Sequence, residues 1–389
     1  MQTAAYYFPN YHVDKRNELH HGPGWTEWEL MKCARPLFEG HRQPKVPLWG
    51  YGDEADPAVM AKKIEAAADH GLDAFVFDWY WYDGPYLQRA LDEGFLQAPN
   101  RSRMKFALMW ANHNWRDIHP VSYNNTKTAP VLYPWTTTRE TVGCVWDYLL
   151  EHYLCQPNYW QVNGKPYFSI YAVSRFIERM GGPEQTAEVL ELFRSKAKAA
   201  GLPGIHFNAI WYDVLDNQPF HPNLTHTWHT ELGFDSYTSY NCTGATPVWQ
   251  TSFPTVDYGV AAREYYELAA RTVAKLPAPY FPVITAGWDA TPRTIQSDIY
   301  RKGDYPFVPV METDCDAFRK LFRDLAKLLR TRPEADRVIF FNAWNEWTEG
   351  SYLEPDTFNK CRLLEIIKEV KDTNTINCHM TNVNVFQKE

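Results

Sequence analysis

A chain of 389 residues with net charge −8 and no basic cluster has room for one large domain or two medium ones, and its charge argues against nucleic acid or an anionic membrane as partner. No apolar run reaches the roughly 18 residues of a bilayer-spanning helix, so no membrane segment is expected. The start, Met1 to Tyr7, has neither the charged nor the apolar region of a secretory leader. The 7 cysteines are scattered and never in C-x-x-C spacing, and they read as free, mostly core thiols. Both features point to the cytoplasm.

In chain order, short apolar runs ending in polar or aromatic residues occur at 4–8, 74–78, 105–110, 167–171, 205–211, 234–237, 281–286 and 338–344. Three-to-four spacing of apolar residues between them predicts helices over 57–70, 140–153, 184–200, 260–276 and 315–329. Gly71 follows the first of these as a helix stop. Eight strands alternating with helices predict one (β/α)8 TIM barrel spanning residues 1–389, because parallel strands need crossover helices and close well at eight. A doubly wound open sheet is the alternative, but no G-x-G-x-x-G or G-K-[ST] loop supports it. The segments 10–49, 111–138 and 211–233 are too long for ordinary connections and are expected to be long βα loops forming the active-site face.

Barrel enzymes carry their chemistry at the C-terminal ends of the strands. The eighth run opens into Trp344-Asn345-Glu346-Trp347-Thr348-Glu349-Gly350, two carboxylates framed by indoles and an amide. One acid to move a proton at a bridging oxygen and a second to manage the anomeric centre is what glycosidic chemistry requires, so Glu346 and Glu349 are the expected catalytic pair. Indole faces suit the C–H faces of sugars, and amides suit their hydroxyls. The same logic at the other strand ends selects Tyr7, Tyr11, His12, Trp25, Asp78, Trp79, Trp110, Asn112, His113, Tyr171, Asn208, Trp211, Trp288, Asp289, Arg293, Trp344, Asn345 and Trp347 as substrate-binding candidates. For any single aromatic a role as barrel plug is equally good. Arg293 suits either an acidic sugar or Asp289, with the pairing to Asp289 the expectation, and Glu354 is expected to brace the loop. The histidines show no metal-ligand spacing, so neither metal nor other cofactor is expected.

The stretches Trp344–Pro355, Gly287-Trp288-Asp289-Ala290-Thr291-Pro292-Arg293, Gly24-Trp25-Thr26-Glu27-Trp28 and Tyr6-Tyr7-Phe8-Pro9-Asn10-Tyr11-His12 resemble the WbsX family, first described as glycosyltransferases of bacterial polysaccharide clusters. That family is in turn similar to glycoside hydrolase family 99, the endo-α-mannosidases and endo-α-mannanases, which are (β/α)8 barrels. The resemblance runs over about residues 4–356. It implies that Glu346 deprotonates a substrate 2-hydroxyl to form a 1,2-anhydro sugar, and that Glu349 is the general acid/base. Around the glutamates the chain matches the WbsX branch better than the mannosidases. The expectation is a retaining hydrolase of an α-linked bacterial oligosaccharide or polysaccharide. A glycosyltransferase of polysaccharide or O-antigen biosynthesis and a non-catalytic carbohydrate-binding barrel are the alternatives.

Overall fold

The computed structural model describes residues 1–210, 231–243 and 246–385, with 374–385 as backbone alone. Its centre is a parallel sheet of eight strands: β1 (Gln2–Tyr7), β2 (Ala74–Trp81), β3 (Lys105–Trp110), β4 (Lys165–Ile170), β5 (His206–Ile210), β6 (Ser236–Thr238), β7 in two pieces (Tyr280–Phe281 and Val283–Thr285) and β8 (Val338–Asn342). Consecutive strands pair in parallel, and β8 pairs with β1 through Gln2 opposite Val338 and Ala5 opposite Phe341. β7 closes the ring in two steps. Its first piece pairs with β6 and its second with β8, and between them Pro282 lacks an N–H but still accepts the Phe340 N–H at 2.9 Å. This is the (β/α)8 barrel the alternation implied.

Helices α1 (Pro57–Asp69), α2 (Val142–Leu149), α3 (Pro183–Ala199), α4 (Tyr258–Lys275), α5 (Cys315–Leu329) and α6 (Arg362–Val385) form the outer layer. Three of them start at an aspartate whose side chain accepts from the first turn: Asp56 from Ala58, Asp257 from Val260, and Asp314 from Asp316 and Ala317. The connection after β5 lies outside the described residues.

Strand alternation sorts the side chains into two cores. Tyr6, Tyr167, Phe281 and Phe340 fill the barrel. Phe75, Phe77, Trp110 and Phe341 face the helices, where Phe95, Trp146, Phe318 and Phe322 meet them. Each buried ring contributes roughly 1.5–3 kcal/mol relative to exposure. The cysteines depart from expectation: among the described residues all are unpaired, but only Cys242 is buried, while Cys33, Cys144 and Cys155 are exposed. A thiol on the outward face of a helix is as compatible with the sequence pattern as one on the inward face. No helix among the described residues is long and apolar enough to cross a membrane.

Candidate active site

At the C-terminal mouth of the barrel lies a cavity of about 360 Å3, lined by Phe8, Asp78, Tyr80, His113, Tyr171, Tyr240, Arg293, Tyr305, Glu346 and Glu349 among others. Local structure after β8 aims the two glutamates there. Asn345 and Glu346 pair antiparallel with Ser351 and Tyr352, and Trp347–Glu349 form a single 3-10 turn between them. Gly350 ends that turn in the left-handed region at φ 63°. A side chain there would meet Asp289, whose Cβ lies 2.5 Å from the position of an added Cβ. Glycine is required on both counts.

Arg293 ties the site together. Its guanidinium donates to Glu349 Oε1 at 2.7 Å and to Glu27 Oε1 at 2.9 Å, and lies 3.4 Å from Glu346 Oε2. All four side chains are buried. Tyr305 donates a second hydrogen bond to Glu349 Oε1 at 2.7 Å. Thr348 and Asn10 donate to Glu27. Burial works to raise the Glu27 carboxyl, but the Arg293 charge and these donors outweigh it and hold Glu27 below the usual carboxylate range. Glu27 is therefore a fixed anion.

The other acids shift the opposite way. Burial, then the neighbouring Glu349 charge, pushes Glu346 well above the ordinary glutamate value. Burial also raises Glu349, with Arg293 and Tyr305 opposing it. Asp78, on β2, is raised well above normal by burial. The Tyr240 hydroxyl lies 2.9 Å from Asp78 Oδ2 and 3.0 Å from Glu346 Oε1. One phenol proton serves only one acceptor, so both contacts are hydrogen bonds only when one of the carboxyls is protonated and donates back. The site holds a proton ready.

Of the residues selected from sequence, Asp78, His113, Tyr171, Arg293, Glu346 and Glu349 line this cavity. Several others stand behind it and hold its loops. Asn345 bridges both backbone polar atoms of Phe8 and donates to Glu54. Trp347 donates to Glu354 and stacks on Tyr352, and the Tyr11 hydroxyl accepts from the Thr348 N–H. Asn112 bonds both backbone atoms of Ala172, joining the loops after β3 and β4.

The rest do not reach the cavity wall, each for a packing reason. Tyr7, Trp79 and Trp110 point between sheet and helices, on the opposite strand parity from Asp78 and Tyr80, and Trp344, just past the end of β8, packs on Phe75 at that same side. Trp288 packs edge-on against Trp249, and Asn208 bonds Ser169 and Ser236 inside the barrel. His12 is buried, and burial pushes its imidazole down to about 3. Asp289 is not the partner of Arg293. It meets His41 at 3.0 Å, Gln43 at 2.7 Å and Lys45 at 3.5 Å, the Coulomb field of Lys45 leading the groups that overcome burial and hold it ionised. Trp25 stacks on His21 in a neighbouring cavity of about 370 Å3 that shares His119 with the first. Trp211 lies outside the described residues.

Sequence reasoning missed Tyr80, Tyr240, Tyr305 and Glu27. Tyr80 was within reach, being two residues beyond Asp78 on one strand face. Glu27 sits inside the Gly24–Trp28 stretch from which only Trp25 was taken. Tyr240 stands two residues beyond β6, at the shortest of the eight apolar runs, and Tyr305 comes from a loop with no strand-end signal.

The sequence model of the family described as glycosyltransferase WbsX matches residues 3–367. The chain belongs to the WbsX family. WxcX from Xanthomonas campestris pv. campestris, described as uncharacterized, is 28% identical over 368 residues, which is 91% of this chain and 47% of WxcX. The chain thus spans about half the length of the curated relatives it matches. Among solved structures, the GH99 endo-α-mannosidase from Bacteroides thetaiotaomicron superposes with TM-score 0.58 at 14% identity, covering 96% of this chain and 97% of that one. Its complex with BIS-TRIS propane gives TM-score 0.59 at 14% identity over the same shares. A glycoside hydrolase-like protein gives 0.59 at 13% identity, covering 95% and 93%. These likenesses show the barrel fold of this WbsX chain.

Proposed function

We propose that this WbsX protein is a retaining glycoside hydrolase that cleaves an α-linked glycan through a 1,2-anhydro sugar. The observation that carries the reading is the pair Glu346 and Glu349, held in one cavity by a single arginine and biased toward sharing a proton. Ionised Glu346 takes the proton of the sugar 2-hydroxyl. That oxygen bonds to the anomeric carbon as the glycosidic C–O bond breaks, and protonated Glu349 gives its proton to the leaving oxygen. Glu349, now a carboxylate, takes a proton from water while the water oxygen attacks the anomeric carbon. The C1–O2 bond opens, and O2 recovers the proton from Glu346. Two inversions leave the configuration retained.

The environment fits both roles. A base with a raised pKa pulls more strongly on a weakly acidic hydroxyl once it is ionised, and a raised Glu349 keeps its proton nearer neutral pH. Asp78, joined to Glu346 through Tyr240, gives the Glu346 proton somewhere to reside while Glu346 acts as base.

The mutants Glu346→Gln and Glu349→Gln test the roles. Glu349→Gln should lose turnover of substrates with poor leaving groups yet keep part of its activity on activated aryl glycosides, which need little acid help. Glu346→Gln should lose both. Equal residual activity of the two on every substrate would refute the assignment. The family's description as glycosyltransferases supplies the competing reading, and calorimetry separates the two. A hydrolase site should bind iminosugars that mimic an oxocarbenium-like transition state, whereas micromolar affinity for a nucleotide sugar with none for iminosugars would favour transfer.

A further inference from the structure

The cavity has two electrostatically opposite walls. β8 and the β7 loop bring Glu346, Glu349 and Arg293, whose charge is consumed by carboxylates. Around the barrel, β4 stands four strands from β8, on the far side. The loops after β3 and β4 bring two other guanidinium groups to the cavity wall, those of Arg116 and Arg175. Neither forms an ion pair among the described residues. Among the described residues the Arg116 side chain donates only to the Ala129 carbonyl, at 3.0 Å, and the Arg175 side chain makes no hydrogen bond. Among the described residues His113, Asn114, Trp115 and Tyr171 stand in the lining with the two arginines, and Asp78 on β2 is the acid of the lining outside the β8 wall. Burial lowers the His113 pKa, and the Arg175 charge adds to that effect, so its imidazole is held neutral and adds no second positive charge there.

Arg175 also stands in the first turn of the short helix Val173–Met180. A cation there faces the positive end of the helix dipole, and this first turn has no acidic residue and no side-chain cap to offset it. The dipole disfavours a cation at this position, and an anion beside the guanidinium offsets that. Among ligands that reach a glycan cleft, a planar carboxylate matches the fork of an arginine.

We propose that Arg116 and Arg175 form a subsite for a carboxylate-bearing sugar, so that the substrate is an acidic glycan, laid across the barrel with its uronic acid toward β3 and β4 and its scissile bond toward β8. The proposal rests on the glycan reading above and names the substrate class of that same cavity.

Binding, not turnover, tests it. The probes are methyl α-glycosides of glucuronic, galacturonic and mannuronic acid, each beside its neutral hexose, with uridine diphosphate as a further arm, titrated by NMR into wild type, R175A, R175K and the R116A/R175A double variant. At least one uronoside should bind about tenfold tighter than its hexose, as expected for a charge-assisted hydrogen bond in an open cavity. The ratio should shrink in R175A, recover in part in R175K, and fall to one in the double variant. Both side chains are exposed or partnered only by a carbonyl, and unchanged thermal melting will show that the variants fold. A panel in which no uronoside outbinds its hexose, or a preference that survives in the double variant, overturns the subsite. Arginine-dependent binding of uridine diphosphate tighter than any uronoside overturns it as well, and with it the hydrolase reading. Absence of glycosidase activity alongside an arginine-dependent uronate preference would sink the hydrolase reading and leave the subsite standing.

Discussion

Replacing Arg293 by methionine should separate the electrostatic from the packing role of the site. Methionine keeps most of the apolar stem and removes the only guanidinium or ammonium that pairs with Glu27, Glu346 and Glu349 among the described residues. Breaking a buried ion pair by deleting one partner costs about 3–5 kcal/mol, because the other charge is left uncompensated. Unfolding entropy of about 2.1 cal/mol/K per residue over 389 residues gives about 0.8 kcal/mol/K, so the melting temperature should fall by about 4–6 °C near neutral pH. The loss should depend on pH with a definite sign. In the native protein Glu27 is held below its ordinary value, so its contribution is present above the unfolded glutamate pKa and lost as pH falls. Without Arg293, only the weaker opposition of His119, Thr348 and Asn10 stands against burial, and the Glu27 carboxyl moves up toward the other raised acids. Its folded state then binds the proton more tightly, and stability declines as pH rises above the unfolded pKa of about 4.3. Scanning calorimetry of wild type and variant at pH 5 and pH 8 reads the difference. The deficit should be smaller at pH 5. A deficit equal at both values, or none at pH 8, would refute the clamp.

Tyr305→Phe removes a donor that lowers the Glu349 pKa, so the alkaline limb of the kcat/KM profile should move to higher pH, with kcat/KM down about tenfold; a limb moving to lower pH would contradict Glu349 as the acid. Gly350→Ala sets a Cβ 2.5 Å from the Asp289 Cβ and 2.7 Å from its nitrogen at φ +63°, contacts that no rotamer relieves. Displacing Glu349 by an ångström should cut kcat on the order of 100-fold, while native kcat in a folded variant would show that the turn is not needed. Asp289→Asn breaks a buried cluster with Lys45 and His41 and should cost about 3–5 kcal/mol in denaturant unfolding. Because Asp289 does not line the cavity, KM should stay within about twofold, below the ~1.4 kcal/mol that corresponds to tenfold; a large rise in KM at unchanged stability would place it in substrate contact after all.

Strand and helix positions were legible because eight apolar runs and the intervening helical periods are local properties, and the barrel follows from their alternation. The glutamates were legible because an acid ending a buried strand has little other reason to be there. The aromatic candidates divide by parity. Asp78 and Tyr80 face the cavity, so Trp79 between them must face the helices, and Trp110 behaves likewise beside Met109 and Ala111. Surface chemistry alone selects tryptophans without regard to that alternation, and the strand ends rich in indoles are largely core. Arg293 was found but given the wrong partner. Asp289 is near in sequence, whereas Glu27 lies 266 residues away, and only the closed barrel brings the β1 loop against the β7 loop.

The proton count of the site follows from that same meeting of loops. Glu27, Asp78, Glu346 and Glu349 place four carboxyls around one buried guanidinium, and Glu27 takes the largest share of its charge. Ionising all the others as well would leave several anions in a water-poor pocket without a counter-charge, which costs far more than keeping a proton. A general acid needs a proton before the substrate arrives, and the shortage of positive charge keeps one within the group formed by Asp78, Glu346 and Glu349. A second buried cation beside Arg293 would bind the glutamates more firmly in the resting state and ionise the acid. The leaving oxygen would then find no proton, so a single arginine against several acids suits the proposed reaction better than a neutralised site.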